Sequence, residues 1–454
     1  MKIQFLGATQ TVTGSKYLIQ TEQMKILVDC GLFQGYKELR IRNWAPLPIN
    51  PATIDYVLLT HAHIDHSGYI PLLVKNGFRG KIICTSATKD LCTILLPDSG
   101  HLQEEEANYA NRKGYSKHHP ALPLYTQEDA ETALDYFHTI ELNKQLQLHD
   151  EFSARFHYAG HILGASLIQL QHKGTSVLFS GDLGRPNDPI MNPPQDPPES
   201  DYLVIESTYG NRLHESSDPQ IKLGEIINRT ANRGGIVLIP AFAVGRTQAL
   251  LYYIQQLKEQ KEIPDIPVYV DSPMASHATQ VFSNHSNESR LTPKQCADVC
   301  NIAQYIHTVD ESIALGRQKM PMILISASGM ATGGRVVHHI RNFASNEKNT
   351  LLFSGFQAGG TRGDRLVRGE KEIKMFGQMV PINAEVIQME NASAHADYAE
   401  ILAWLSRLKK APRKIFITHG EKESAIALKL KIEQNFNWNC LIPNYLDQET
   451  LGNQ

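Results

Sequence analysis

The chain has 454 residues, more than one hydrophobic core accommodates, so we expect two domains of ordinary size. Hydrophobic residues make up 42% and charged residues 20%, and no apolar run approaches the ~20 residues of a membrane-spanning helix, which argues against a membrane protein. The net charge of −3 excludes a general attraction to nucleic acid, so a polyanionic substrate would need a local basic cleft.

The N-terminal stretch, MKIQFLGATQTVTGSKYLIQ, alternates like a strand and lacks the basic start, apolar segment and cleavage site of a signal peptide. We therefore expect a cytoplasmic protein. The six cysteines include no Cys-x-x-Cys pair, which argues against a disulfide framework and against a thiolate zinc site.

The chain then alternates short β-branched runs with amphipathic helical stretches, a pattern that indicates an α/β fold. In chain order the runs are KILVDCG, DYVLLTH, KIICTS, SVLFSGD, YLVIEST, GIVLIPAF, PVYVDSP, MILISASG, TLLFSGFQ and KIFITHGE. Most of them end in a small, acidic or His residue before a Gly or a helix start, where α/β proteins place reactive groups. We expect the functional residues along these strand ends.

Two stretches interrupt the alternation. Residues 98–124 predict a polar helix followed by a loop, and the Pro-rich residues 186–200 predict an extended connection. His118 and His119 lie in the first stretch without an acidic residue beside them, so a surface loop explains them better than a metal site.

The segment THAHIDH, after the second run, holds four ligand-type residues in six positions. Residues two apart in an extended segment point the same way, so His61 and His63 can grip one ion. Asp65 and His66, at the start of the next helix, can turn toward a second ion. Two hydrolytic metals sit ~3.5 to 4 Å apart and can share a ligand.

Three later strand ends offer the remaining ligands. They are His161 in YAGHILGAS, Asp182 in LFSGDLGR and His419 in IFITHGE, each flanked by Gly. Singly, each is explained as well by a helix cap or a core position. Their joint placement at strand ends favours a metal centre.

These residues resemble the metallo-β-lactamase fold, an αββα sandwich with ligands at one edge of two packed sheets. Asp29 in LVDCG matches its first motif, a non-ligand Asp behind the site, and THAHIDHSG matches the second. The resemblance implies two zinc ions that share Asp182 as a bridging ligand, although manganese or iron can occupy such sites. The implied ligands are His61, His63 and His161 for one ion and Asp65, His66 and His419 for the other.

More than 230 residues separate Asp182 from His419, enough for an inserted domain. Landmarks in this interval resemble the metallo-β-CASP ribonucleases: Glu206 in VIESTYG matches motif A, His395 in SAHADY motif B and His419 motif C. The resemblance implies a metallo-β-lactamase domain of residues 1–208 and 373–454 around an α/β β-CASP domain of residues 209–372. With a His at motif C, the chain resembles the RNA-processing branch of this family. That branch includes the endonuclease subunit of the cleavage and polyadenylation machinery.

The chain ends soon after His419, so we expect none of the oligomerisation domains of some ribonuclease J-like members. The sequence leaves open whether the chain forms a homodimer.

Several Gly-rich turns in the interval suit a polyanion, because backbone N–H groups and helix starts can bind phosphate. Candidate RNA contacts are Arg246, Ser328, Gly329, Arg335 and Ser393. A capped βα turn explains Arg335 equally well, and an interdomain ion pair is the alternative for Arg246. Arg362, Arg365 and Arg368, spaced by three, are better explained as a solvated helix face.

We expect hydrolysis of RNA by a hydroxide that would bridge two zinc ions. A buried metal site would admit a threaded strand but not a wide duplex, so we expect single-stranded RNA as the substrate. Asp65 would accept the proton of the water, and His395, held by Glu206, would be the general acid for the departing sugar oxygen. Two alternatives stay open: a small-molecule thioester or lactam hydrolase of the same fold, and a catalytically silent RNA-binding scaffold. The sequence does not decide between internal and terminal cleavage.

Overall fold

A computed structural model describes residues 1–114, 116, 118–389 and 393–452 of the chain. It divides into two compact units. The first unit comprises Met1–Asp188, Asn192–Leu213 and His395–Gln454, and the second comprises Pro189–Met191 and His214–Ala394. The domain boundaries at 208/209 and 372/373 remain predictions from the sequence.

The first unit contains two seven-stranded sheets. The strands of one sheet are β1 (Lys2–Phe5), β2 (Tyr17–Gln20), β3 (Lys25–Val28), β4 (Tyr56–Leu58), β5 (Lys81–Cys84), β6 (Phe137–Thr139) and β22 (Gln448–Thr450). They lie in the order β22-β1-β2-β3-β4-β5-β6. The pairs from β3 to β6 are parallel, and those from β22 to β3 are antiparallel.

The strands of the other sheet are β7 (Gln145–His149), β8 (Phe152–Tyr158), β9 (Ser166–His172), β10 (Thr175–Phe179), β11 (Tyr202–Glu206), β20 (Lys414–Thr418) and β21 (Cys440–Leu441). They lie in the order β21-β20-β11-β10-β9-β8-β7. Both sheets contribute to one buried core, in which Phe5 lies 5.2 Å from Phe416 and Tyr17 lies 5.7 Å from Phe179 between ring centroids. The sheets therefore pack face to face, as in the expected sandwich.

Helices join and flank these sheets. They are α1 (Lys37–Arg42), α2 (Ile64–Ser67), α3 (Ile70–Lys75), α4 (Ser86–Lys113), α5 (Gln127–Leu134), α13 (Tyr398–Leu405) and α14 (Lys422–Phe436). Helix α4 begins twelve residues before the predicted polar stretch and contains Pro97. His118 and His119, in the loop after α4, are exposed.

The second unit is built on a six-stranded sheet whose strand pairs are all parallel. The strands are β12 (Val237–Pro240), β13 (Val268–Asp271), β14 (Gln304–Tyr305), β15 (Ile323–Ser326), β16 (Thr350–Ser354) and β19 (Glu385–Met389). Their order, β14-β13-β15-β12-β16-β19, reverses beside β12, and β17 (Glu372–Met375) and β18 (Gln378–Pro381) form a separate hairpin. The helices are α6 (Pro219–Asn232), α7 (Arg246–Glu259), α8 (Pro273–Asn284), α9 (Pro293–Asn301), α10 (Val309–Leu315), α11 (Arg335–Phe343) and α12 (Arg362–Val367).

All ten predicted runs contain a strand of one of these three sheets. Of the six cysteines, all free, Cys300 is half-buried and the others are buried. Within the described residues, no helix is long and apolar enough to cross a membrane.

Candidate metal centre

The seven predicted metal ligands come together in the first unit because each follows a strand. His61 and His63 follow β4, and Asp65 and His66 lie in the first turns of α2. His161 follows β8, Asp182 follows β10, and His419 follows β20 directly. The donor atoms form two clusters, which are His61, His63, His161 and Asp182, and Asp65, His66 and His419.

In the first cluster, the imidazoles converge on one carboxylate oxygen. Asp182 Oδ2 lies 3.3 Å from His61 Nε2 and 3.4 Å from His161 Nε2. His63 Nδ1 completes the cluster at 3.1 Å from His61 Nε2 and 3.4 Å from His161 Nε2. Three nitrogens and one oxygen around a common point form a donor set that zinc prefers.

The second cluster is built around the other oxygen of the same carboxylate. Asp182 Oδ1 lies 3.2 Å from His66 Nε2 and 3.4 Å from His419 Nδ1. His419 Nε2 lies 3.1 Å from His66 Nε2 and 3.4 Å from Asp65 Oδ2. Asp182 thus presents one oxygen to each cluster.

Burial and protonation suit these residues to cations. Burial lowers the pKa of His61 to about 3 and that of His63 to about 4, so both rings keep a free lone pair at neutral pH. Burial alone would raise the pKa of Asp182, but the neighbouring imidazoles, His419 first, hold it well below its usual value. Asp182 Oδ1 is buried and has no hydrogen-bond partner among the described residues. A buried, charged oxygen without a donor is what a metal ion satisfies.

A second layer fixes the orientation of the rings. Asp29 Oδ2 lies 2.7 Å from His66 Nδ1 and accepts a hydrogen bond of 2.9 Å from Thr60 Oγ1. Because Thr60 donates to Asp29, its oxygen accepts from His61 Nδ1, 3.0 Å away. We assign the imidazole proton of His61 to Nδ1, which leaves its Nε2 lone pair facing the first cluster, and a proton of His66 to Nδ1, opposite Asp29. Burial alone would lower the pKa of His66, but the carboxylates of Asp182 and Asp29 raise it well above its usual value.

His395 lies beside the metal clusters rather than in them. Its Nδ1 lies 3.1 and 3.2 Å from the carboxylate oxygens of Glu206 and 4.0 Å from Asp182 Oδ2. Glu206 is in turn held by the Leu183 N–H, which donates to it at 2.6 Å. Burial alone would lower the pKa of His395, but the carboxylates of Glu206 and Asp182 raise it above its usual value. The ring therefore holds a proton next to the candidate metal centre.

Comparison with known proteins agrees with this geometry. Residues 11–215 match the metallo-beta-lactamase superfamily, residues 247–366 the Beta-Casp domain, and residues 379–443 the Zn-dependent metallo-hydrolase RNA specificity domain. Ribonuclease TTHA0252 of Thermus thermophilus is 34% identical over 94% of this chain and 95% of its own length. The chain belongs to the metallo-β-lactamase-fold β-CASP ribonuclease family.

Other relatives share a smaller fraction of identical residues with this chain. Transcription termination factor FttA of Methanosarcina mazei is 32% identical over 95% of this chain and 70% of its own length. Integrator complex subunit 11 of Gallus gallus is 28% identical over 98% of this chain and 72% of its own length. A crystal structure of a protein of unknown function from Enterococcus faecalis V583 shares the fold, with a TM-score of 0.57, 14% identity and 99% of both chains covered.

The predicted RNA contacts of the β-CASP unit lie at the carboxyl ends of its strands. Arg335 begins α11, but its guanidinium is engaged within the unit. Its Nη1 donates to buried Asp271 at 2.7 Å, and its Nη2 donates to the His307 carbonyl at 2.8 Å. The guanidinium thus has partners within the second unit, and a phosphate contact of Arg335 stays a prediction.

The other four candidates occupy the neighbouring loops. Arg246 is the first residue of α7. Both Arg246 and Ser393 lie next to Gly355: a Cβ atom added to Gly355 would be 3.2 Å from Arg246 Nη2 and 3.7 Å from the Ser393 Cα. Ser328 Oγ pairs with Thr332 Oγ1 at 3.1 Å, and the Gly329 carbonyl accepts a hydrogen bond from the Gln357 side chain. Arg246 and Ser393 therefore both lie beside Gly355, whereas Ser328 and Gly329 belong to the loop after β15.

Three supporting residues escaped the sequence analysis. The Thr60 hydroxyl forms hydrogen bonds with both Asp29 and His61 and so links them. Thr208 Oγ1 accepts a hydrogen bond from His419 Nδ1 at 3.1 Å and donates one to the His419 carbonyl. Lys16 is buried and donates to the Gly31 carbonyl under the metal loop; burial lowers its pKa to about 8. Thr60 is the first residue of THAHIDH, directly before His61, and this position is the one signal that the sequence offered.

Proposed function

We propose that this protein hydrolyses the phosphodiester bonds of single-stranded RNA with two zinc ions, or manganese or iron in their place. The observation that carries the proposal is the carboxylate of Asp182, which presents one oxygen to each cluster of imidazoles. A shared carboxylate between two donor clusters is the arrangement of two-metal hydrolases. We assign His61, His63 and His161 to one ion and Asp65, His66 and His419 to the other.

When bound, such ions supply a water that is nucleophilic near neutral pH and positive charge for the phosphate in the transition state. The protein supplies the proton acceptor. Burial alone would raise the pKa of Asp65, but its hydrogen bond to His419 and the nearby His66 hold it below its usual value. Asp65 is therefore ionised at neutral pH and can take the proton of an attacking water.

His395 supplies the proton for the leaving group. Its Nδ1 faces Glu206, so the proton available for transfer is on Nε2. The raised pKa favours the protonated ring, the form that a general acid requires. Delivery of this proton to the sugar oxygen completes the cleavage, and Glu206 holds the ring in place throughout.

The depth of the centre favours a single strand. His61, His66, His161, Asp182 and His419 are all buried, and His63 and Asp65 are half-buried. The scissile phosphate must enter this recess, which a flexible strand achieves more easily than a duplex whose backbone is held on a wide helix. RNA is the substrate class that agrees with the RNA specificity match over residues 379–443. A cytoplasmic location and a homodimer remain predictions.

The test compares substrates and metal content in one preparation. Metal-loaded protein should cleave an unstructured RNA oligomer faster than blunt duplex RNA, and chelation should abolish cleavage until metal is restored. Asp182→Ala should lose both metal and activity, whereas Asp129→Ala, in a surface ion pair with Lys75, should retain both. Hydrolysis of a lactam or thioester without RNA cleavage would indicate the small-molecule alternative. RNA binding with no cleavage at full metal content would indicate a silent scaffold.

A further inference from the structure

Two large aromatic side chains are exposed at the ends of helix α1, in the first unit. Tyr36 is 44% and Trp44 is 60% exposed, although aromatic residues of this size are usually covered. We call the segment from Tyr36 to Trp44 the α1 surface. An exposed aromatic ring with positive charge beside it is the composition on which unpaired bases stack.

The charges of the α1 surface favour a polyanion. Residues 34–53 contain three basic residues and one acidic residue, Glu38, in a chain whose net charge is −3. Lys37 and Arg40 are exposed, and neither forms an ion pair with any described residue. Arg42 is packed, with its guanidinium 4.4 Å from the Tyr445 ring centroid. Two cations are thus available next to the exposed rings.

A cavity of about 450 Å³ opens beside Trp44. Its walls combine Trp44, Tyr69 and Leu72 with the amide-bearing residues Asn43, Asn50 and Asn76. Its volume is within the range of small-molecule sites, and flat apolar walls with a few amides suit a planar heterocycle. An unstacked RNA base could therefore lie on the exposed ring of Trp44 or enter the cavity beside it.

Packed residues join the α1 surface to the metal loop. Gly31 packs so closely under Asp65 that a Cβ at this position would overlap the Asp65 carbonyl. Two residues later, Phe33 is clamped by Asn43, whose side chain bonds its N–H at 2.9 Å and its carbonyl at 2.8 Å. Asn43 immediately precedes Trp44 and lines the cavity. The contact between Phe33 and Asn43 therefore ties the end of the α1 surface to the segment that packs under Asp65.

We propose that the α1 surface binds the single-stranded RNA flanking the scissile bond, with one base stacked on Trp44 at the cavity mouth and phosphates paired with Lys37 and Arg40. The inference rests on the proposed function and extends it to a second contact outside the metal centre. The two available cations beside the exposed rings favour RNA over a protein chain as the occupant.

The test uses metal-loaded protein and measures kcat and KM separately for an oligouridylate and for a small chromogenic phosphodiester, too short to leave the metal centre. Trp44→Ala should raise KM for the oligouridylate about tenfold, the size of one lost base stack. The small diester should be cleaved as before, and Trp44→Phe should restore most of the RNA affinity. The matched control is Ile41→Ala, which removes a 56% exposed side chain from the same helix without an aromatic ring or a charge.

Two further readouts follow the charges and the place of contact. The double variant Lys37→Ala, Arg40→Ala should reduce the slope of log KM against log salt by about 1.4, two phosphate contacts at ~0.7 each. RNA carrying 4-thiouridine should crosslink to residues 36–44. Unchanged KM in Trp44→Ala, with wild-type cleavage intact, would overturn the inference and leave the proposed function standing. Loss of a homodimer in Trp44→Ala at unchanged KM would assign the surface to a second copy. Wild-type cleavage of the small diester but of no RNA would reject the proposed function itself.

Discussion

Replacing Asp29 with Asn tests how the second layer controls the metal centre. Asp29 is fully buried and accepts three hydrogen bonds, from Thr60 N at 2.8 Å, from Thr60 Oγ1 at 2.9 Å and from His66 Nδ1 at 2.7 Å. Its φ of 58° lies in the left-handed region, which Asn tolerates better than most residues. The substitution therefore changes the chemistry with little strain on the backbone.

The magnitude follows from counting donors and acceptors. The Asn oxygen can still accept from Thr60 N, but its NH₂ group would face His66 Nδ1 and Thr60 Oγ1. If His66 keeps its Nδ1 proton, two donors oppose each other; if the proton moves to Nε2, the ring cannot bind a cation. Changes of this kind cost about 10- to 100-fold in metal affinity, or about 1.4 to 2.7 kcal/mol.

The assay is a competitive chelator titration of zinc that resolves both ions. Asp29→Asn should weaken both, because Asp29 contacts His66 directly and His61 through Thr60, whereas Thr60→Val should weaken mainly the ion of His61. Asp129→Asn is the control for loss of a carboxylate, because Asp129 pairs with Lys75 at the surface. Unaltered zinc affinity in correctly folded Asp29→Asn would refute the assigned tautomers.

Three further predictions concern the proton donor and the loop packing. His395→Ala should keep both ions but lose about 10² to 10⁴ in single-turnover rate, and a 5′-thio leaving group, which needs no proton, should restore cleavage; loss of metal in this variant would remove the acid role. The pKa of His395 is raised, so its acid form persists to higher pH than that of an ordinary histidine, and the cleavage rate should fall as the pH rises through that pKa. This fall should be absent in His395→Ala. The same dependence of rate on pH in both proteins would contradict the acid role of His395. Gly31→Ala should displace Asp65, lower the free energy of unfolding by about 1 to 3 kcal/mol and weaken metal binding. The control is Gly333→Ala, which has nothing within 4 Å of the new Cβ and should change neither the stability nor the metal content. Equal melting temperatures for the two variants would show that the loop around Gly31 adjusts to the added methyl group.

The strand ends could be predicted from the sequence because β-branched runs and Gly boundaries are local signals. The clustering of His61 with His161 needs more than that placement, because His61 follows β4 of one sheet and His161 follows β8 of the other, and they meet only once the two sheets pack face to face. Partners from distant parts of the chain left no local signal. Arg335 pairs with Asp271, 64 residues earlier in the chain, and no pattern around either residue indicates it.

The arginine triplet illustrates the same limit on a helix. Arg368 pairs with Asp364 one turn earlier, a spacing visible in the sequence, and Arg365 pairs with Glu370 just beyond α12. Arg362 instead donates to the Thr332 carbonyl, thirty residues away. Similarly, Thr208 could not be recognised as a partner of His419 until β11 and β20 were seen to be adjacent.

Anomalous diffraction from crystals of metal-loaded, RNA-cleaving protein tests the two-metal centre most directly. We predict two peaks ~3.5 to 4 Å apart, one among His61, His63 and His161 and the other among Asp65, His66 and His419, with the Asp182 carboxylate between them. A single peak in protein that cleaves RNA at full rate, or peaks away from Asp182, would contradict the account.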